Sequence, residues 1–193
     1  MSKKSLPAFL TLLLTLSSLF LPQAQAQDPE KQAILSQLTA ANSQKDLLLF
    51  GNLENSFNER AVASLKNGIA LHCDFFVELY KTAPNWPDEL INNKTFKHSI
   101  SYNTLKDDYV IKLQEKKEHN IRSASLHEAQ KIFQQLNDVQ VVPLSQLIPD
   151  QQYTIRIRAE LSQESLPPGV TNILPFVTSS NIKTKWYPIE FKY

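Results

Sequence analysis

The stretch IALHCDFFVELY, residues 69–80, decides the fold class. Ile69, Leu71, Cys73, Phe75, Val77 and Leu79 occupy every second position, with Ala70, His72, Asp74, Phe76, Glu78 and Tyr80 between them. Successive side chains of a strand point to opposite faces, so this is one long strand with a core face and a polar face. Residues 152–161 repeat the arrangement: Tyr153, Ile155, Ile157, Ala159 and Leu161 alternate with Gln152, Thr154, Arg156, Arg158 and Glu160. Strands wet on one side belong to antiparallel sheets.

Working outward, shorter alternations run through Phe96, His98, Ile100 and Tyr102, through Tyr109, Ile111 and Leu113, through Val139 and Val141, and through Ile189, Phe191 and Tyr193. Lys106-Asp107 marks the turn of a hairpin between the first two. Leu47-Leu48-Leu49-Phe50, within 46–53 and bounded by Gly51 and Asn52, reads as a strand apolar on both faces, placed centrally or between a sheet and a helix. Two helices announce themselves by capping boxes, Ser56-Phe57-Asn58-Glu59 and Ser125-Leu126-His127-Glu128, each followed by a single apolar stripe. Asp28-Pro29-Glu30 followed by Ile34, Leu38 and Ala41 predicts a third, short helix over 28–41, or else a loose arm. Leu166-Pro167-Pro168-Gly169 opens an irregular segment up to about Asn181. About seven strands with only two firm helices lack the strand–helix alternation of a parallel sheet. The expected fold is mainly β (α+β), an antiparallel sandwich-like domain over 45–193 with two short inserted helices, preceded by an arm or short helix over 27–44.

The first 26 residues carry Lys3-Lys4, a mostly apolar run from Ala8 to Leu21, and Ala24-Gln25-Ala26. This is the composition of a signal peptide cleaved after Ala26, and it predicts an exported, periplasmic product with no membrane span after cleavage. An uncleaved anchor is the competing reading. Cleavage removes two of the 20 basic residues, leaving 18 against 19 acidic ones. Such a balance gives no electrostatic case for nucleic acid. Three glycines in the whole chain, none adjacent, exclude a glycine-rich nucleotide loop. A single cysteine, Cys73, excludes an intrachain disulfide and multi-cysteine metal sites. No cofactor is predicted.

The helix ending Leu65-Lys66-Asn67-Gly68-Ile69, the long strand after it, the Tyr102-x-x-Leu105-x-x-x-Tyr109 segment, the helix Ala129 to Leu136, and Tyr153-x-Ile155-x-Ile157-Arg158-x-x-Leu161 with Leu166-Pro167 follow in one order. That order, closed by a tryptophan near the C-terminus, resembles the exported bacterial family known as domain of unknown function 4390, over about residues 45–193. The resemblance implies no activity. It implies an envelope role, in association with a membrane sensor kinase of the nitrogen-regulation type.

Several residues could carry chemistry. His72 and Asp74 share a strand face about 7 Å apart and are candidate metal ligands, with Glu78 further along; a solvated polar face is the favoured reading of them. Arg156 and Arg158 could together grip a carboxylate or phosphate, or pair across the sheet with Glu78 or Asp74. Trp86, in the turn Pro84-Asn85-Trp86-Pro87, and Trp186-Tyr187 are candidate partner contacts. His98 falls on an apolar face and reads as a hydrogen-bonded core residue. Glu115-Lys116-Lys117-Glu118, with His119 after it, reads as solvated charge at a hairpin tip. Cys73 reads as a buried, unreactive thiol. No catalytic residue is assigned. The expected function is a non-catalytic binding or accessory domain whose partner is a membrane or envelope protein. The alternative is a small-anion or metal-dependent ligand binder or enzyme using Arg156, Arg158, His72 and Asp74.

Overall fold

The computed structural model describes residues 32–116, 120–163 and 182–193. The leader, the irregular segment from Leu166 to Asn181, and Lys117, Glu118 and His119 lie outside the described residues. In chain order the elements are β1 (Ile34–Asn42), β2 (Asp46–Glu54), α1 (Glu59–Lys66), β3 (Leu71–Lys81), β4 (Glu89–Asn103), β5 (Asp108–Leu113), β6 (Ile121–Ser123), α2 (Leu126–Gln134), β7 (Gln135–Pro143), β8 (Gln152–Gln163), β9 (Ile182–Lys183) and β10 (Tyr187–Lys192). The fold is mainly β with two helices, as the alternation requires, and every strand pairing is antiparallel. One sheet has the order β1-β2-β7; the larger has the order β10-β8-β3-β4-β5-β6, with β9 beside β8. The two strands read most clearly from the sequence, β3 and β8, lie side by side in the middle of the larger sheet, with Cys73 opposite Leu161 and Phe75 opposite Ala159.

Both sheets and both helices feed one hydrophobic core. Leu47, Leu49 and Leu53 enter it from β2, Phe75 and Leu79 from β3, Ile155 and Ile157 from β8, Leu65 from α1 and Phe133 from α2. Each large side chain removed fully from water contributes about 1.5–3 kcal/mol. Phe75 and Phe96 stack across β3 and β4 with ring centroids 5.1 Å apart. Side chains of β4 also serve β7: Asn92 Nδ2 donates to the Val141 carbonyl (2.6 Å) and Lys94 Nζ to that of Gln140 (2.9 Å). These bonds tie β4 of the larger sheet to β7, the edge strand of the smaller one.

The predicted helix over 28–41 is corrected: residues 34–42 form strand β1, on the edge of the smaller sheet. Its pairing with β2 slips between Ser36 and Thr39, and Gln37 takes a left-handed backbone, φ 50°. The inserted residue lets Leu35 and Leu38 both face the core. Of the predicted stripe only Leu38 packs on the core; Ile34 and Ala41 are exposed, and Leu35 takes the inward place assigned to Ile34. β2 is the central strand of its sheet, as its two-sided apolarity predicts, but it runs through Gly51 instead of ending there.

The first capping box is corrected too. Asn58 caps α1, its Oδ1 accepting from Ala61 N (2.7 Å), and Ser56 is buried, accepting from Gln134 Nε2 (2.9 Å). In α2 Ser125 caps as predicted, while Glu128 accepts from Ser123 Oγ (2.6 Å) instead of the cap's own N–H. The Lys106-Asp107 hairpin forms, with Tyr102 opposite Tyr109 and Asp107 at φ 53°. Among the described residues no helix is long and apolar enough to cross a membrane.

Candidate functional site

The face of the larger sheet opposite the core carries the polar members of the alternation in register. Opposite His72, Asp74, Phe76, Glu78 and Tyr80 of β3 stand Ser162, Glu160, Arg158, Arg156 and Thr154 of β8. On the other side of β3 stand Ser99, Lys97, Thr95 and Asn93 of β4, opposite His72 to Glu78 in the same order. Beyond β8, Pro188 faces Arg156 and Glu190 faces Thr154 from β10.

The two arginines occupy this face without meeting the acids expected for them. The Arg158 guanidinium lies 4.7 Å from the Phe76 ring centre and 4.8 Å from that of Trp186, and pairs with Glu160 (3.1 Å) on its own strand. Glu160 also holds Lys183 at 3.2 Å. The Arg156 guanidinium lies 4.6 Å over the Tyr80 ring and 3.6 Å from Asp88. Glu78 is directly opposite Arg156 in register, yet the long arginine stem carries its head one row on, to an aromatic face worth about 0.5–1 kcal/mol at an exposed site. Asp74 pairs with Lys97, directly opposite it on β4, at 3.5 Å. Glu78 instead accepts from the Tyr80 hydroxyl (2.9 Å), and this bond is the main reason the phenol titrates above its ordinary value.

His72 Nδ1 is 3.0 Å from Ser99 Oγ. Among the described residues no cluster of three or more His, Cys, Asp or Glu gathers that could hold a metal ion. His72 and Glu78, the residue in register with Arg156, are six positions apart along β3, roughly 20 Å at strand rise. The four residues of the ligand-binding alternative are therefore strung along the face, and of them only Arg156 lines the cleft at its far end.

That cleft, of about 560 Å³, is lined by Glu78, Thr82, Asp88, Gln152, Thr154, Arg156, Trp186, Pro188 and Glu190. Two of its walls flank the β3–β4 turn. The turn is tied down by Thr82 N–H to the Gln152 carbonyl (2.9 Å) and by Thr82 Oγ1 to Thr154 Oγ1 (3.2 Å). At its tip Trp86 is 81 % exposed. Trp186 lines the cleft while its ring packs on Arg158, whereas Tyr187 turns inward and packs against the core. Of the three candidate contacts, the two tryptophans border one end of the outer face and Tyr187 does not. Nothing in the spacing of Glu190 marks it as a cleft residue; for Asp88 the one signal is its position directly after Trp86-Pro87.

Elsewhere the sequence reading of the titratable groups divides. His98 is fully buried among Phe75, Phe96 and Phe133 and hydrogen-bonded as expected, its Nδ1–H donating to the Phe133 carbonyl (2.7 Å). Glu115, expected to be solvated, is corrected. Its side chain is 2 % exposed and meets His98 Nε2 at 3.0 Å. The alternation Tyr109, Ile111, Leu113 extends to Glu115, which is the signal that places it inside. Cys73 is buried, and burial, with Asp74 next to it, pushes its thiol well above the ordinary value.

A family model described as a domain of unknown function (DUF4390) matches residues 30–190, and the chain belongs to that family. The match takes in β1, ahead of the stretch over which the motifs resemble it. No curated protein and no solved structure matches the chain.

Proposed function

We propose that this DUF4390 member is an exported, non-catalytic binding or accessory domain of the cell envelope, which docks another protein at the β3–β4 end of its outer sheet face. One observation carries the reading: Trp86 stands 81 % exposed on a turn held by backbone and side-chain bonds. Tryptophan is among the side chains that dominate binding once a partner covers them. A turn framed by Pro84 and Pro87 presents it with little conformational entropy left to lose on association. The composition of the first 26 residues supports export, and the family resemblance makes a membrane sensor kinase the first partner to look for. The ligand-binding alternative has less support, because the guanidinium groups of Arg156 and Arg158 are engaged by carboxylates and aromatic rings.

The test is site-specific photocrosslinking in the native host, with a photoreactive phenylalanine at position 86 or at position 105. Leu105 is 96 % exposed in the turn at the opposite end of β4 and serves as the control. A discrete protein adduct is expected from position 86 and not from position 105. No adduct at 86, or the same adducts from both positions, counts against the proposal.

A further inference from the structure

We infer that the cleft at the β3–β4 end of the outer face receives a lysine or arginine side chain from an extended, partly apolar segment of the partner protein. The inference rests on the protein-binding reading and specifies the chemistry of the occupant. Along the rest of the face the acids are already paired: Asp74 with Lys97 at 3.5 Å, and Glu160 with both Arg158 and Lys183 at 3.1 and 3.2 Å. The cleft keeps a surplus. Glu78, Asp88 and Glu190 line it against Arg156 alone, a formal charge of −2 among the charged lining residues. Arg156 is committed to Asp88. Among the described residues neither Glu78 nor Glu190 has an ion pair, and the bond Glu78 accepts comes from the neutral Tyr80 hydroxyl.

Register places these two carboxylates on either side of β8. Glu190 stands opposite Thr154, and Glu78 opposite Arg156 one row away, which sets their α-carbons roughly 12 Å apart. A long cationic side chain entering between them has an acid on each flank. An anionic segment would meet like charge and be rejected. The apolar neighbours of the cleft decide between a protein segment and a free amine. Trp86 is 81 % and Leu90 48 % exposed at the same end of the sheet, an area that a compact polyamine does not cover and that the residues flanking a lysine do.

The probe is a short fluorescein-labelled peptide with a central lysine between leucines, compared with its norleucine and glutamate counterparts by anisotropy on the full mature chain. Saturable binding of the lysine peptide is expected, weakening as ionic strength rises. The Glu78→Gln/Glu190→Gln double variant should bind it about 10-fold more weakly. Both changes keep side-chain size at positions open to water, and thermal melts verify that the variant folds. The inference is overturned if the lysine peptide does not bind, if norleucine binds as well as lysine, if the double variant binds normally, or if spermidine competes as effectively as unlabelled peptide. The crosslink from position 86, repeated in the double variant, separates the two levels. An undiminished adduct there sinks the cationic occupant and leaves the docking surface standing, whereas no adduct in either background removes both.

Discussion

Cys73 shows what a single position on an alternating strand decides. Leu71 and Phe75 flank it on the core face of β3, and no sulfur surface reaches water. Burial disfavours the thiolate more than the thiol, which is why the thiol titrates well above its ordinary value. The folded state therefore keeps a proton that the unfolded chain gives up. That contribution to stability is intact below the ordinary thiol range, about 8.5–9, and is lost as pH rises through it toward the folded value. Native protein should resist maleimide and react once unfolded, and Cys73→Ala should flatten the alkaline fall of the melting temperature. Rapid labelling of the native state would contradict this. Burial of this kind is legible in the sequence because it depends only on side-chain parity. The destination of a long side chain is not: Arg156 passes the acid directly opposite it for Tyr80 and Asp88, and nothing in its spacing says so.

Parity is broken in β1. An extra residue at Gln37 sets Leu35 and Leu38 three apart on one face, and no pattern rule separates that from a helical stripe without knowing that β2 lies alongside. The bulge leaves a physical mark on β2. A β-carbon at Gly51 would lie 2.6 Å from Leu38 Cδ2, so this glycine is the space into which the bulged strand packs. Gly51→Ala should destabilise by at most about 1 kcal/mol, because Leu38 Cδ2 is the free end of a half-buried side chain that can turn aside. The loss should shrink in a Leu38→Ala background, where the clashing methyl is gone. Urea unfolding of the two single variants and the double measures the coupling; additive losses would mean that β1 does not lie on β2 in this register. The helices were easier to find than to bound. A short polar residue near an apolar stripe marks a start, but Ser56 and Asn58 compete for the cap of α1, and the burial of Ser56 against Gln134 settles it for Asn58.

At the scale of the molecule, the mainly β class and the central pairing of β3 with β8 follow from alternation alone, but the way the layers are tied together does not. His98 on β4 donates through Nδ1 to the carbonyl of Phe133 in α2, and through Nε2 meets Glu115 just beyond β5. One imidazole thus links two neighbouring strands of the larger sheet to the helix that leads into β7 of the smaller one. Read as charge, the run Glu115-Lys116 looks solvated; read by parity from Tyr109, its glutamate points inward, and parity was right. The Glu115 carboxylate keeps a second oxygen, Oε2, buried with no hydrogen-bond partner among the described residues, so its interior position costs desolvation that the bond to His98 must offset. Glu115→Ala should remove the buried carboxylate together with its desolvation cost but leave the imidazole half-satisfied, a loss of about 1–3 kcal/mol. His98→Leu should cost more, about 3–5 kcal/mol, by stranding the carboxylate. Replacing both with leucine removes the polar groups together, and the double variant should lose clearly less than the sum of the two, because neither partner is then left unpaired. Equilibrium urea unfolding of all three variants gives the coupling. Losses that simply add would show that the two side chains do not meet in the folded core, and would leave the link between β4, β5 and α2 to apolar packing alone.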